Sequence, residues 1–160
     1  MASEPLTLVM EYLPLSLLHL MDHVPMKEEH EKMLIQMMLL GVRFLHQHQI
    51  LHRDLKPANL LVRPADGTLK LADFGQARVH DRAESGPLSH DVATRWYRAP
   101  ELLFGATAYD TGVDMWAVGC IIAHLFNLSP LFPGRNDIDQ IVAVFARLGS
   151  PTEATWPVRS

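Results

Sequence analysis

The run from Val113 to Phe126 is apolar nearly all round, broken by Asp114 near its start and His124 near its end. A helix patterned this way has no face to offer water, so other elements must pack around it, and it belongs at the centre of a domain. Its most apolar part, residues 115–126, is about half the length a membrane span needs, so protein must supply the burial. The rest of the chain can do so. Its 160 residues are 48% hydrophobic and 20% charged, too apolar for a disordered chain and of a length suited to one domain. Asp114 stands apart from this pattern, because a carboxylate entering an apolar helix needs partners.

Charge and cysteine content narrow the class further. With 14 basic against 18 acidic residues and a net charge of −4, nothing marks nucleic acid as the main partner. The single cysteine, Cys120, excludes an internal disulfide framework and fits a reducing, intracellular setting. Lying within the central apolar run, it reads as inert core. No signal-peptide pattern opens the chain, and no membrane association is expected.

Around the central helix, the patterning predicts a strand over residues 6–12, stopped by Pro14, and a short apolar helix over 15–21. Pro25 begins a longer helix with Glu28, Glu29 and Glu31 in its early turns, complementing the helix dipole. Met33, Leu34, Met37, Leu40, Gly41, Phe44 and Leu45 are its predicted buried face, the methionines serving as core filler. Strands at 60–62 and 69–72 are joined through Asp66-Gly67, a strong hairpin signal. Residues 75–100 read as one long loop, of the kind that is usually functional. A last helix is capped by Asn136, has Asp137 and Asp139 in its first turn, and is ended by Gly149 and Pro151. Its predicted buried stripe is Ile138, Ile141, Val142, Phe145 and Leu148. The fold class is mainly α (α+β), with short β-hairpins.

Three motifs sit on this scaffold in order: His52-Arg53-Asp54-Leu55-Lys56-Pro57-Ala58-Asn59 before the hairpin, Asp73-Phe74-Gly75 after it, and Ala99-Pro100-Glu101 closing the long loop. Any one alone is weak, but the three in this order and context are very hard to obtain by chance. Together they resemble the catalytic loop, metal-binding motif and activation-segment end of eukaryotic protein kinases, and the resemblance extends over essentially the whole chain. It implies the larger, C-terminal lobe of a kinase fold, with ATP and Mg²⁺ as cofactors. Phosphoryl transfer needs a carboxylate to orient and deprotonate the attacking hydroxyl, a role for Asp54. It needs a cation near the transferred phosphate, which Lys56 supplies. It needs oxygen ligands for Mg²⁺, which Asp73 and the Asn59 carbonyl provide.

Finer implications also ride on the resemblance. Lys56 is the serine/threonine-kinase form of its loop, and Thr94 stands where such kinases place a threonine touching the catalytic aspartate and lysine. The run from Val92 to Glu101 is typical of cyclin-dependent, mitogen-activated and related kinases, in which Arg98 shapes a pocket for proline after the phosphorylated residue. Protein substrates with Ser-Pro or Thr-Pro are therefore implied, together with a cyclin or cyclin-like activator and residence in nucleus and cytoplasm. Within the cyclin-dependent-kinase-like group, Ser129 to Gly134 with Asn136-Asp137-Ile138 is most similar to the cell cycle-related branch. Leu102 to Ala106 and Gly112 to Cys120 are closer to the branch found in the kinase-activating complex.

By the same resemblance, Ser89 matches an activating phosphorylation site, with Arg53 and Arg78 as phosphate partners. Met10 is the expected gatekeeper, Glu11 and Leu13 offer backbone groups to adenine, and Leu61 and Ala72 floor the pocket. Asp114 is expected to hold the catalytic loop by its backbone. Ser16 replaces an aspartate common near the ribose, and Gln76 replaces a leucine. His46, His48 and His52 are too poorly supported by other ligands to form a zinc site.

Residues 1–160 thus read as a partial kinase domain carrying hinge, catalytic loop, activation segment and the helices that follow. No glycine-rich loop or lysine-bearing strand precedes Leu6, and no later helix supplies an arginine to pair with Glu101, an expected structural residue. Two functions compete on this reading: a kinase when complete, or a truncated, inactive lobe that binds substrates or regulators.

Overall fold

The computed structural model describes residues 7–80, 88–152 and Trp156. Helices dominate, with short strands gathered at one end. A three-stranded antiparallel sheet runs β1 (Leu15–Ser16), β3 (Leu60–Arg63) and β4 (Thr68–Leu71), and a second, two-stranded sheet pairs β2 (Ile50–Leu51) with β5 (Arg78–Val79). The hairpin forms as expected: Leu60 faces Leu71 and Arg63 faces Thr68. Its turn is closed by Asp66, whose Oδ1 accepts the Thr68 N–H at 3.1 Å, and by Gly67 at φ 69°. A left-handed residue there suits glycine.

Residues 7–14 contain no strand. The expected strand at 6–12 fails because none of the described residues pairs with it, and unpaired backbone stays in water. Leu6 lies outside the described residues. The short helix starts slightly later, as α1 (Leu17–His23), because the Ser16 hydroxyl caps it by accepting the His19 N–H at 3.2 Å.

The long helix is α2 (Glu28–Gln47), with its three glutamates in the first turn. Its buried line is Leu34, Met38, Val42 and Leu45, rotated from the expected face, so that Met33, Leu40 and Phe44 are exposed. The central helix, α4 (Gly112–Asn127), buries Val113, Ala117, Val118, Ile121 and Leu125 but leaves Met115 and Phe126 exposed. No helix among the described residues is long and apolar enough to cross a membrane.

The last helix, α5 (Asp137–Leu148), has the expected cap and stop: Asn136 accepts the Asp139 N–H at 2.8 Å, and Gly149 takes φ 84°. Its buried residues are Gln140 and Val144, and the predicted stripe instead leaves Ile138, Val142 and Leu148 exposed. The cause is polar. Gln140 is fully buried because its Oε1 accepts the Gly134 N–H at 2.9 Å, which fixes the helix's rotation.

The buried side chains form two clusters. The larger joins α1, α2, the hairpin, α4 and α5 through Leu17, Met38, Leu60, Ile121 and Val144, with Leu55 and Phe132 from the connecting loops. The smaller joins Leu51, Leu88, Val92, Ala99, Leu102, Tyr109 and Val113. A short α3 (Pro100–Leu103) belongs to the second, and Trp116 of α4 packs against both.

Candidate active site

The segment between β2 and β3 is buried although it is polar: His52, Arg53, Asp54 and Asn59 are all shielded from solvent. Such groups persist only when partnered. Asp114, at the start of α4, supplies the base of the arrangement. Its Oδ2 accepts the backbone N–H of His52 at 2.9 Å and its Oδ1 that of Arg53 at 2.8 Å. The two bonds tie the backbone at residues 52 and 53 to the start of α4. A second partner carries no signal in the sequence: His46, in the last turn of α2, places Nε2 2.8 Å from Asp114 Oδ2. The His52 ring meets the Ala72 carbonyl through Nε2 at 3.0 Å, which makes Nε2 the protonated nitrogen and leaves Nδ1 to accept the Asp54 N–H at 3.3 Å.

Asp54 stands at the top of this loop with both oxygens engaged. Oδ1 accepts the Thr94 N–H at 2.9 Å and the Thr94 hydroxyl at 3.0 Å. Oδ2 accepts from Lys56 Nζ at 2.9 Å and from Asn59 Nδ2 at 3.2 Å. Lys56 Nζ also donates to Thr94 Oγ1 at 2.9 Å, and Asn59 Nδ2 to the Asp54 carbonyl at 2.9 Å. Asp54, Lys56, Asn59 and Thr94 therefore form one closed network drawn from two segments far apart in sequence. Charge-assisted bonds of this kind orient a carboxylate tightly.

Asp73 lies just beyond β4, in a left-handed conformation at φ 60° with its Oδ1 accepting the Gly75 N–H at 3.3 Å. The preceding residue ties it to the catalytic loop, since the Ala72 N–H donates to the Asn59 carbonyl at 2.9 Å. With Asn59 Nδ2 spent on Asp54, its side-chain oxygen is the free end, so Asn59 and Asp73 offer hard oxygen donors. No group of three or more His, Cys, Asp or Glu able to hold a metal occurs among the described residues. A donor set this small suits Mg²⁺, which commonly takes one or two protein oxygens and completes its shell with phosphate and water.

The segment leading to α3 has a distinctive backbone. Ala93 takes φ 67°, and its carbonyl is captured by Arg98 through Nη2 at 2.9 Å and Nε at 3.3 Å. Arg98 Nη2 also lies 3.4 Å from Asp91 Oδ1. Nearby, Trp96 Nε1 donates to the Gly134 carbonyl at 3.1 Å.

Other expected residues are arranged differently. Among the described residues, no hydrogen bond joins Ser89 Oγ to Arg53 or Arg78. Arg53 donates instead to the Gln76 carbonyl at 2.7 Å and to Tyr109 Oη at 2.9 Å, while Tyr109 donates to the Ser89 carbonyl. Tyr109, an unremarkable aromatic in the sequence, thus links Ser89 to Arg53, whereas Arg78 lies exposed in β5. Met10 is 79% exposed and encloses no pocket, Leu13 is buried, and Leu61 and Ala72 are half-buried. The Glu11 carboxylate pairs with Lys70 and, more weakly, with Arg63 of the hairpin, which holds it below the usual carboxylate range. The Ser16 hydroxyl is occupied as a helix cap. Glu101 forms no ion pair among the described residues. Its burial, with the Asp110 charge adding to it, raises its carboxyl above the usual range. Burial also pushes the Cys120 thiol up to about 12, consistent with an inert core cysteine.

Comparison with known proteins agrees with this geometry. The protein kinase domain model matches residues 1–160. Human cyclin-dependent kinase 20 is 56% identical over 133 residues, covering 83% of this chain and 38% of the relative. Cyclin-dependent kinase 7 of Caenorhabditis elegans is 50% identical over 152 residues, covering 94% of this chain and 46% of the relative. Among solved structures, the crystal structure of the yeast RNA Pol II CTD kinase CTDK-1 complex superposes with a TM-score of 0.88 at 41% identity, covering 92% of this chain and 48% of that one. The chain therefore spans less than half the length of these relatives.

Proposed function

Because the chain belongs to the protein kinase family, within its cyclin-dependent-kinase-like group, we propose that the protein carrying it transfers the γ-phosphate of ATP to serine or threonine followed by proline. The observation that carries the transfer is the fixed Asp54 carboxylate, held on both oxygens by Thr94, Lys56 and Asn59. Asp54 orients the substrate hydroxyl and takes its proton as the oxygen forms its bond to the γ-phosphorus. The bond from that phosphorus to the β-phosphate oxygen breaks, and ADP leaves. Lys56 faces the same carboxylate and balances negative charge on the transferred group. Asp73 and Asn59 would hold Mg²⁺, which would supply charge neutralisation on the phosphates.

The proline preference follows from Ala93. A substrate's next residue would ordinarily satisfy its N–H on a nearby carbonyl, and an unmet N–H in a shielded site is costly. The Ala93 carbonyl is turned away and occupied by Arg98. Proline has no N–H to satisfy, so it enters without that cost. A cyclin-like activator and an activating phosphate on Ser89 belong to the same proposal.

The test uses the full-length protein with its activating partner. Peptides differing only as Ser-Pro and Ser-Ala should be phosphorylated with kcat/KM in favour of proline by about tenfold or more, the range set by one unmet buried N–H. Asp54→Asn should abolish transfer on both. Equal rates on the two peptides would overturn the proline reading, and an active Asp54→Asn enzyme the catalytic one.

A further inference from the structure

We infer that Asp137 is a positioning residue that sets the preference for the residue after the phosphorylated serine or threonine, acting through Arg98; this rests on the proline-directed reading above. Arg98 holds the Ala93 carbonyl with Nε and Nη2, which leaves Nη1 as the remaining corner of its guanidinium. Asp137 Oδ2 stands 3.7 Å from that corner. Its other oxygen, Oδ1, accepts from Arg95 Nε at 2.8 Å. One carboxylate therefore engages two arginines of the segment that turns Ala93. A planar guanidinium with a carbonyl bonded at one edge and a carboxylate facing its remaining corner is biased toward that orientation, by the modest amount a partly exposed ion pair supplies.

The burial pattern makes this pair matter more than the alternative carboxylate. Arg98 is 12% exposed, with Asp137 at 48% and Asp91 at 86%. A nearly free surface carboxylate such as Asp91 holds a partner weakly, so Asp137 is the more constrained anchor. It is also rigidly mounted. Asp137 opens α5 directly after Asn136, which already caps the helix. The preceding Gly134 is locked by buried Gln140 and receives the Trp96 indole. The turn before α5 is thus a receptacle for residues 95–98. Ala93 carries a Cβ in a left-handed conformation that disfavours it, so the flipped peptide depends on Arg98 staying in place.

An acidic residue in the first turn of a helix also has an ordinary role, favourable interaction with the helix dipole. Asp139 provides the control. It lies in the same first turn and contacts Arg135 at 3.2 Å, not Arg98.

The experiment compares wild type, Asp137→Asn and Asp139→Asn in the full-length protein with its activating partner, measuring kcat/KM on the Ser-Pro and Ser-Ala peptides and the melting temperature. Asp137→Asn is expected to lower the Pro-to-Ala ratio by roughly two- to fivefold, the span of a partly exposed ion pair, mainly through better use of Ser-Ala. Asp139→Asn should leave the ratio unchanged while lowering the melting temperature to a similar extent. A wild type that prefers proline, with an Asp137→Asn variant that keeps the full preference, overturns this inference alone. A ratio that falls equally in both variants also overturns it, since the dipole would then be responsible. A wild type with no preference overturns the proline reading and this inference with it.

Discussion

The Asp114 carboxylate accepts the Arg53 backbone N–H at 2.8 Å across 61 positions of sequence, joining the start of the central helix to the catalytic loop. The bond is buried, and the same carboxylate serves His52 and His46. Asp114→Asn keeps the shape but turns an N–H₂ toward a backbone N–H, leaving a buried donor without an acceptor. The expected cost is about 3 kcal/mol, read as a lower urea midpoint at unchanged slope. A variant as stable as wild type would mean that the loop holds its own conformation.

Thr94 is bonded to Asp54 through both its N–H and its hydroxyl, and accepts from Lys56. Thr94→Val removes the hydroxyl and keeps the backbone bond, so it should loosen Lys56 and Asp54 without displacing the loop. In the full-length protein kcat should fall roughly 10- to 100-fold, the scale of misplaced catalytic groups, with KM for ATP little changed. Thr94→Ser should recover most of the rate, and a Val variant with wild-type kcat would show that Lys56 and Asp54 need no bridge.

At Gly134 a Cβ would lie 2.5 Å from both the Cα and N of Gln140. Neither is the end of a flexible side chain, so the backbone itself must move. Gly134→Ala should therefore cost about 2–3 kcal/mol and weaken the Trp96 contact, which tryptophan fluorescence can follow. Unchanged stability would mean that the turn before α5 yields more readily than its hydrogen bonds imply.

Glu101 is held above its ordinary carboxyl value, first by burial and then by Asp110. The native state therefore binds the proton more strongly than the unfolded chain. Glu101's contribution is greatest below the unfolded value and is lost as pH rises through the raised native one. Glu101→Gln should accordingly raise the melting temperature at pH 7, modestly because the carboxyl is partly exposed and solvent-screened, and this gain should shrink toward pH 4. A gain independent of pH would assign the effect to packing instead of charge.

Polar order was more legible in the sequence than apolar direction. The hairpin, the Asn136 cap and the loop motifs were readable because each rests on chemistry local to a few residues. Asp114 was readable because a lone carboxylate in an apolar run demands partners. Periodicity alone does not find the buried face of α5, since a single buried amide, Gln140, outweighs the apolar stripe beside it; nor does it separate the two apolar lines of α2, of which the packing selects Leu34, Met38, Val42 and Leu45. The strand expected at 6–12 required a neighbour that no local pattern can supply. Tyr109 and Asp137 carried no signal either: a lone tyrosine and a first-turn aspartate are commonplace until tertiary contacts give them Arg53 and Arg98.

The catalytic loop begins in one cluster and ends in the other, with Leu51 seated in the smaller and Leu55 in the larger. Asp54 consequently lies where the two clusters meet, as a bridge deck lies between piers. The piers share a footing, because α4 places Val113 in the smaller cluster and Ala117 and Ile121 in the larger, with Trp116 packed against both. Close-packed interiors transmit strain, so a change in packing along α4 reaches the Asp54 carboxylate from both sides at once.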